Sequence, residues 1–219
     1  MYYFEEYKGK NILRSDYIQE VNAFFTTRQG FDFDLEKARR VVSPTQTHTS
    51  NVQIVDDRTE YPDTDGLITD LKDCLVYLRF ADCTPLIFYD NVKKVGAISH
   101  AGWRGTADKI GVKTVDKMTV NYGSKPKDIT VLIGPAISVC CYEVGDDVKE
   151  KLLSTVSDQT GLTNGMNVDL KNINARQLEE KGVKKIDICP YCTCCNNDLF
   201  FSYRKENGTK ERHYAVLKL

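Results

Sequence analysis

The chain has 219 residues, of which 41% are hydrophobic and 28% charged; these fractions are typical of a globular protein and exclude a disordered or fibrous one. Its 30 Lys and Arg balance 31 Asp and Glu, so no charge excess favours nucleic acid or an anionic membrane as a partner. We expect one domain over residues 1–219, because no repeat, low-complexity tract or long linker divides the chain. The sequence has no recognisable export signal and no segment of about 18 apolar residues, which predicts a cytoplasmic protein without a membrane span.

Most of the predicted strands lie in the first 135 residues. Short β-branched and aromatic runs bounded by turn residues predict strands over 21–27, 52–55, 74–80, 85–89, 95–99 and 129–133. The runs at 74–80 and 85–89 are almost continuously apolar, which is typical of strands covered on both faces. We therefore expect these two strands to be central in the sheet.

Helical patterns begin after residue 105. Apolar spacing and punctuation predict helices over 106–122, over 146–157 and from Asp169, as N-cap, to residue 181. Strands return at 185–188, 199–203 and 214–217. Because strands and helices mix without strict alternation, the sequence predicts a mixed α/β (α+β) domain with a central mixed β-sheet flanked by helices.

The chain contains eight Cys and three His. Eight Cys are too dilute for a disulfide scaffold, and without an export signal we expect reduced thiols. His48 precedes a predicted strand, Cys83 lies between two strands and His100 ends another, so the three could converge. Two His and one Cys with a fourth position open are typical of catalytic zinc. The alternative is that each His only forms hydrogen bonds and that Cys83 is small core filler.

Copper is the rival metal. A single blue-copper site would need a weak axial Met, and Met118 is assigned to a helix core. Coupled copper clusters are built largely from imidazoles, and three His, of which His213 is taken as structural or surface, cannot supply one.

The remaining cysteines are concentrated in two places. Cys189, Cys192, Cys194 and Cys195 could hold a structural zinc, but adjacent Cys194 and Cys195 fit one tetrahedron poorly. We therefore favour ordinary or oxidisable thiols there over a second metal. The Cys140-Cys141 pair is interpreted in the same way.

Three arginines lie in turns or at strand ends, where a guanidinium can present its planar donors to phosphate or carboxylate. They are Arg28, Arg104 and Arg204. The alternative for each is a solvated surface charge. The chain contains neither a Walker loop nor a Gly-x-Gly-x-x-Gly fingerprint, so nucleotide binding through those devices is not supported.

Six sequence blocks together resemble the laccase-domain family, whose members are labelled polyphenol oxidase or purine nucleoside phosphorylase. The blocks are Gln46-Thr47-His48, Ala81-Asp82-Cys83-Thr84-Pro85, Ser99-His100-Ala101-Gly102-Trp103-Arg104-Gly105, Gly134-Pro135-Ala136-Ile137, Cys141-Tyr142-Glu143-Val144-Gly145 and Phe200-Phe201-Ser202-Tyr203-Arg204. They run in family order from about residue 25 to the end. Lys210-Glu211-Arg212 replaces a Thr-Gly-Arg pattern, so no role is carried over to Arg212.

The resemblance implies a single mixed α/β domain with zinc bound by His48, Cys83 and His100. It also implies phosphorolysis of adenosine, inosine, guanosine and methylthioadenosine, with deamination of adenosine to inosine. The expected partners are therefore purine nucleosides and phosphate, and the oligomeric state stays open. The older label implies copper, and a non-enzymatic zinc-binding interaction module is a further alternative.

The mechanistic hypothesis assigns roles to the matching residues. Zinc held by His48 and Cys83 with His100 activates water for attack on purine C6, and Asp82 carries a proton to the leaving ammonia. Phosphate is expected on the three arginines. Gln46 and Trp103 are assigned to substrate, with Trp103 or Tyr142 stacking on the base.

Overall fold

The computed structural model describes residues 1–219 and contains two six-stranded sheets. The first sheet, in spatial order, consists of β1 (Tyr2–Tyr7), β2 (Lys10–Ser15), β3 (Asn22–Thr26), β14 (His213–Lys218), β7 (Cys74–Phe80) and β4 (Arg40–Val42). The second consists of β13 (Lys185–Ile188), β10 (Ile129–Ile133), β8 (Thr84–Asp90), β9 (Val95–Ala101), β6 (Gly66–Thr69) and β5 (Val52–Ile54). Both sheets are mixed, because β4 pairs with β7, β5 with β6 and β10 with β13 in parallel.

The two sheets pack against each other through one apolar core. Phe25 and Leu78 from the first sheet join Ile87 and Leu132 from the second, and all four side chains are fully buried. Gly134, which follows β10, lets the layers approach closely: a Cβ there would lie 2.3 Å from the Phe25 ring. Burial of apolar surface on this scale is the main stabilising contribution to such a fold.

The chain contains four helices, and three of them cover the outer face of the second sheet. They are α1 (Trp103–Ala107), α2 (Ile110–Tyr122), α3 (Asp146–Leu153) and α4 (Leu170–Glu180), and a short hairpin of β11 (Thr163–Asn164) and β12 (Asn167–Val168) lies between the last two in the chain. Helices α1, α2 and α4 cover the sheet, and α3 packs against α1 and α4. Met118 of α2 and Leu178 of α4 pack against Phe88 of β8. None of these helices has the length and apolar character needed to cross a membrane.

The predicted fold class is confirmed, but two sheets replace the predicted single central sheet. Strands β7, β10 and β13 match the predicted bounds, and β8 is buried along its whole length between two neighbours, as its apolar run indicates. By contrast, β7 lies next to the edge strand β4 and exposes Arg79. A continuous apolar run shows that a strand is buried on both faces, but it does not show which position the strand has in a sheet. A strand packed between two sheets can be as buried as one in a single sheet covered by helices.

Two helix predictions need correction. The predicted helix over 106–122 is divided into α1 and α2, because Lys109 adopts a left-handed conformation with φ of 56° that breaks the helical backbone. Helix α3 ends at Leu153, four residues before the predicted end at 157. The third prediction is confirmed: the Asp169 side chain accepts a hydrogen bond from the Asn172 N–H at 3.0 Å and caps α4.

The predicted strand over 199–203 is wrong. The N–H groups of Leu199 and Phe200 both donate to the Asn196 carbonyl at 3.0 Å, which makes this segment a turn. Phe200 and Phe201 are buried, so their apolar character reflects burial in the core. The sequence predictions also missed the β1–β2 hairpin, whose turn places Lys8 and Gly9 at positive φ.

Candidate metal centre and active site

A cavity of about 710 Å³ lies where β7 ends, β8 begins and β9 ends. Loops from distant parts of the chain, around residues 43–48, 137–142 and 203–212, complete its wall. Its lining contains seven of the predicted site residues: Gln46, His48, Asp82, Cys83, His100, Trp103 and Arg204. The fold therefore brings most of the sequence-derived candidates to one place.

The three predicted metal ligands lie together at this cavity. One ligand atom each from His48, Cys83 and His100 can be chosen so that all lie within 4.8 Å of one another. The ring centroids of His48 and His100 are 4.8 Å apart, with the planes at 75°. His48 adopts a positive φ of 63°, a conformation uncommon for a residue other than glycine and often found at functional sites.

Asp65 contacts both the His100 ring and the backbone on either side of His48. The sequence predictions missed this residue. Its carboxylate is fully buried, and Oδ1 lies 2.7 Å from His100 Nδ1. Its other oxygen accepts the N–H groups of Thr47 and Thr49 at 3.1 and 2.7 Å, on either side of His48. A carboxylate at Nδ1 makes that nitrogen the donor and leaves Nε2 of His100 free to bind a metal.

The local charges favour a ligating thiolate. Burial alone raises the pKa of the Cys83 thiol, but the neighbouring His100 and His48 lower it to about 6. For His100, burial lowers the pKa, whereas Cys83 and Asp65 raise it to about 9. Without a metal, the pair therefore favours a Cys83 thiolate beside a His100 imidazolium at neutral pH. The thiolate is the form that binds metal ions, and a metal that binds displaces the proton on His100 Nε2.

The donor set fits one zinc ion. Two imidazoles and one thiolate leave a fourth tetrahedral position facing the cavity, as catalytic zinc requires. A copper cluster does not fit, because the third histidine, His213, is fully buried outside the cavity lining. No methionine lines the cavity, and Met118 is buried in the helix core, so the axial ligand of a blue-copper site is also missing.

Asp82 is fixed at the cavity wall by two hydrogen bonds. Its Oδ1 accepts a hydrogen bond from the Thr193 hydroxyl at 2.6 Å, and its Oδ2 accepts one from the backbone N–H of Arg204 at 2.7 Å. Asp82 also has a positive φ of 80°, which turns the chain between β7 and β8 and aims Asp82 and Cys83 into the same cavity. It is the only carboxylate in the lining.

Three arginines bring positive charge to the cavity lining. Arg79, Arg204 and Arg212 line the cavity, and Arg104 lines an adjoining recess that shares His48, Asp82 and Cys83 with it. The Arg204 guanidinium donates to the carbonyls of Cys141 and Glu143 at 3.4 and 3.0 Å. Arg79 was missed by the sequence predictions, since it is one exposed charge at the end of an apolar strand.

Arg28 does not lie on the cavity. Its guanidinium pairs with Glu206 at 2.8 Å and donates to the Asn197 carbonyl at 3.0 Å. It also stacks over the Phe201 ring at 4.3 Å. The Arg28 side chain, which was predicted to bind phosphate, therefore stabilises the loop that carries Arg204.

Gln46, Trp103 and Tyr142 occupy different parts of the site. Both polar atoms of the Gln46 side chain bond to the Arg79 backbone, at 3.0 and 2.9 Å, so Gln46 fixes the end of β7. Trp103 and Tyr142 present aromatic rings to the cavity, with the Arg104 guanidinium 4.3 Å from the Trp103 ring. Burial and the adjacent Cys83 raise the pKa of Tyr142 to about 12, so its hydroxyl stays protonated.

Replacing Gly102 by alanine is expected to weaken metal binding about 10- to 100-fold, the range seen when the support of a ligand is disturbed. An added Cβ would lie 3.0 Å from Cys83 Sγ, so the sulfur must shift from its place beside the two histidines, whereas the 3.5 Å to His48 Cδ2 is an ordinary contact. Isothermal titration of the metal-free protein with zinc measures the change. Gly165→Ala is the control: its added Cβ meets nothing, and its φ of 61° confines the strain of the substitution to the turn between β11 and β12. Equal affinity in the two variants would contradict the prediction.

The chain matches a model of the family described as "Multi-copper polyphenol oxidoreductase laccase" over residues 14–219. It is 36% identical over 190 residues to the protein named "Purine nucleoside phosphorylase YlmD" of Bacillus subtilis (strain 168), covering 78% of this chain and 68% of the relative. It is 30% identical over 220 residues to a protein named "Adenosine deaminase RL5" from an unknown prokaryotic organism, covering 91% and 82%.

A solved structure is similar over almost the whole chain. The crystal structure of YlmD from Geobacillus stearothermophilus superposes with a TM-score of 0.89 at 30% identity, covering 98% of both chains. The family match and this likeness agree with the resemblance that the six sequence blocks carry. The chain therefore belongs to the laccase-domain family described as multi-copper polyphenol oxidoreductases, in which its relatives include proteins named as purine nucleoside phosphorylases and as an adenosine deaminase.

Proposed function

We propose that this chain is a zinc-dependent purine nucleoside phosphorylase that also deaminates adenosine. Its substrates are adenosine, inosine, guanosine and methylthioadenosine, and phosphorolysis yields the free base and ribose or methylthioribose 1-phosphate. The observation that carries the proposal is the convergence of His48, Cys83 and His100 in a cavity lined by arginines. The names of the relatives supply the reaction class.

The chain's own side chains prepare the metal-binding set. His48, Cys83 and His100 would hold the zinc ion, which would supply a Lewis acid for activating water and polarising substrate oxygens. Asp65 keeps the His100 ring in the tautomer that directs Nε2 to the cavity. The same carboxylate anchors the backbone around His48, so one buried group sets the spacing of two ligands.

Asp82 is the proton carrier in this proposal. Each of its oxygens accepts one hydrogen bond from the chain, which fixes its orientation and leaves a lone pair on each oxygen for another partner. The carboxylate can accept a proton from the attacking water and pass it to the amino group of purine C6, which then leaves as ammonia. The rigid hold by Thr193 and Arg204 keeps the transfer distance short.

The arginines serve the phosphorolytic reaction. Phosphate attacks the sugar while positive charge develops on it, so the phosphate must be held on one face. Arg204 lies at the cavity beside Arg79 and Arg212, with Arg104 in the adjoining recess, and guanidinium groups suit phosphate oxygens. Trp103 or Tyr142 can stack on the purine, and the protonated Tyr142 hydroxyl can donate a hydrogen bond.

The proposal is tested by supplying inosine with and without phosphate and separating the products by chromatography. The expected result is hypoxanthine and ribose 1-phosphate only when phosphate is present, whereas adenosine yields inosine and ammonia without it. Phosphate-independent release of hypoxanthine would overturn the phosphorylase assignment. No turnover of any nucleoside, with unfolding on metal removal, would favour the interaction module; oxygen uptake with phenols would favour the copper oxidase.

A matched pair of variants sharpens this assay. Arg204→Met should raise KM for phosphate about 10- to 100-fold, because a hydrogen bond to a charged group contributes about 1.5–3 kcal/mol. Lys205→Met removes the adjacent positive charge, which is exposed and outside the cavity lining, and should leave KM unchanged. Equal effects of both variants would indicate general charge attraction and contradict a role for Arg204 in binding.

A further inference from the structure

A second group of four cysteines lies close to the cavity. The sulfur atoms of Cys140, Cys141, Cys192 and Cys195 all lie within 4.8 Å of one another, and all four residues are free thiols. Cys195 Sγ is 3.5 Å from Cys140 Sγ and 3.4 Å from Cys141 Sγ. Two segments more than 50 residues apart in the chain therefore contribute two sulfurs each.

The structure regroups the cysteines that the sequence presents as one run. Cys189 is buried in the core between the sheets, and Cys194 is outside the group. Adjacent Cys194 and Cys195 fit one tetrahedron poorly, and only Cys195 takes part. Cys140 and Cys141 are also adjacent, but their sulfurs both lie within 3.5 Å of Cys195 Sγ, so adjacency does not keep these two from one site. The remaining Cys192-x-x-Cys195 spacing is typical of one half of a structural zinc site, and Cys140-Cys141 supplies the other half.

The sulfur spacing suits a tetrahedral metal. A zinc–sulfur bond of about 2.3 Å places the sulfurs of a tetrahedron about 3.8 Å apart, close to the observed 3.4 and 3.5 Å for two of the pairs. A disulfide would use only two of the four sulfurs, drawn to about 2.05 Å. Adjusting all four sulfurs by fractions of an ångström therefore completes a four-thiolate site.

The loops that carry the sulfurs are fixed by hydrogen bonds of their own. The Ser138 N–H donates to Cys192 Sγ at 3.4 Å, and the Thr193 N–H donates to the Ala136 carbonyl at 3.1 Å. The Asn196 N–H closes a turn on the Cys192 carbonyl at 2.8 Å. An N–H donated to a ligand sulfur is the kind of outer contact that orients thiolates around a metal.

A buried cation lies beside this group. The Lys171 side chain is 4% exposed, and its ammonium donates to the carbonyls of Cys189 and Tyr191 at 2.7 and 3.3 Å. It is close enough to Cys140 and Cys192 to interact with their charges. Four thiolates around a divalent cation carry a net charge of −2, so a fixed ammonium nearby offsets part of that charge.

We propose that Cys140, Cys141, Cys192 and Cys195 bind a structural Zn²⁺ ion as four thiolates. Each thiol that binds gives up its proton to solvent, and no electron is transferred. Four protein ligands leave no open position, so this ion differs in function from one held by His48, Cys83 and His100. The proposal does not depend on the reaction assigned to the cavity.

The ion would stabilise the wall of the cavity. Thr193, next to Cys192, donates its hydroxyl to Asp82, and the Cys141 carbonyl accepts from Arg204. Tyr142, next to Cys141, lines the cavity. Joining the two cysteine segments through one metal therefore fixes the hydrogen-bond partners of the proposed proton carrier and of a proposed phosphate ligand.

The test is metal content and cobalt spectroscopy on the purified protein. We expect two zinc ions per chain, one for each ligand group, and one in Cys195→Ser, in Cys140→Ser and in Cys83→Ala. Cobalt added to metal-free Cys83→Ala should show the intense sulfur-to-metal absorption of a four-thiolate site, which Cys195→Ser in that background should lose. Cys194→Ser is the matched control and should keep both ions.

Three results would overturn the proposal. One is a wild-type protein whose metal is lost entirely in Cys83→Ala; another is a Cys195→Ser variant with the same metal content as Cys194→Ser. The third is a cysteine pair of this group found oxidised, by mass spectrometry, in protein purified without added reductant. The cobalt titration of Cys83→Ala leaves all four cysteines in place, so it decides the question even if a Cys140 or Cys195 variant does not fold.

Discussion

Replacement of Cys83 by alanine is expected to reduce both nucleoside phosphorolysis and deamination by about 10³-fold, because Lewis-acid stabilisation contributes several kcal/mol and each 1.36 kcal/mol is tenfold in rate. Cys83 is the only sulfur among the three proposed ligands, and its Sγ lies so close to Gly102 that a Cβ there would be 3.0 Å away. Loss of the thiolate leaves two imidazoles, too few for a catalytic zinc site. Initial rates with inosine and with adenosine measure the loss.

The control for Cys83→Ala must remove one thiol that belongs to neither of the two groups of potential metal ligands. Cys194→Ala meets this condition, because Cys194 is partly exposed and belongs to neither group. We expect it to retain wild-type rates. Wild-type turnover by a Cys83→Ala protein that has lost one zinc ion would contradict a catalytic role for the metal. An equal loss of activity in Cys194→Ala would point to general damage by cysteine replacement.

The three proposed metal ligands could be predicted from the sequence, but the residue that supports them could not. His48, Cys83 and His100 lie at strand ends, where chemistry-bearing side chains stand out from apolar neighbours, and the resemblance assigned all three. Asp65 carries no such signal, since it lies in a stretch with other aspartates that the structure leaves exposed, such as Asp63. Its role depends on burial and on two hydrogen-bonded loops that only the fold brings together.

The errors in the fold prediction have a common physical origin. Apolar runs indicate burial, and the segment at 199–203 is buried without being extended, because its N–H groups bond locally to Asn196. The regrouped cysteines are a related case. Nothing in the spacing of Cys140 and Cys192 indicates contact, whereas the parallel bridge between Ala136 and Cys192 brings their segments together in the fold.

His213→Leu is expected to make the protein less sensitive to acid. The His213 ring is fully buried at the start of β14, beside Phe80 and Phe200, and neither ring nitrogen has a hydrogen-bond partner. Burial lowers the pKa of His213 to about 3, with Arg212 lowering it further and the Pro135 carbonyl opposing the shift. In the unfolded chain its pKa is about 6.5.

The sign of the effect follows from proton linkage. Between pH 6.5 and 3 the unfolded chain binds a proton at His213 that the folded chain does not, so the free energy of unfolding falls as the pH falls. The slope approaches about 1.4 kcal/mol per pH unit below pH 6.5, and the loss from pH 6.5 to 4.5 is about 2.3 kcal/mol. Leucine cannot bind that proton, so the variant should lose correspondingly less stability over this interval.

Urea unfolding of metal-free wild type and His213→Leu at several pH values isolates this contribution. Chelation removes the pH dependence of metal binding from both proteins. The pKa of Glu206 is lowered to about 2 by Arg28, and carboxylates of this kind lose their stabilising contribution only as the pH falls below about 4.5. The Cys83 thiol, with a pKa of about 6, also titrates between pH 6.5 and 4.5, but it is present in both proteins. The difference between the two curves over this interval therefore reports on His213. Parallel curves for the two proteins would mean that the folded protein protonates His213 as readily as the unfolded chain, which a fully buried ring between two phenylalanines does not allow.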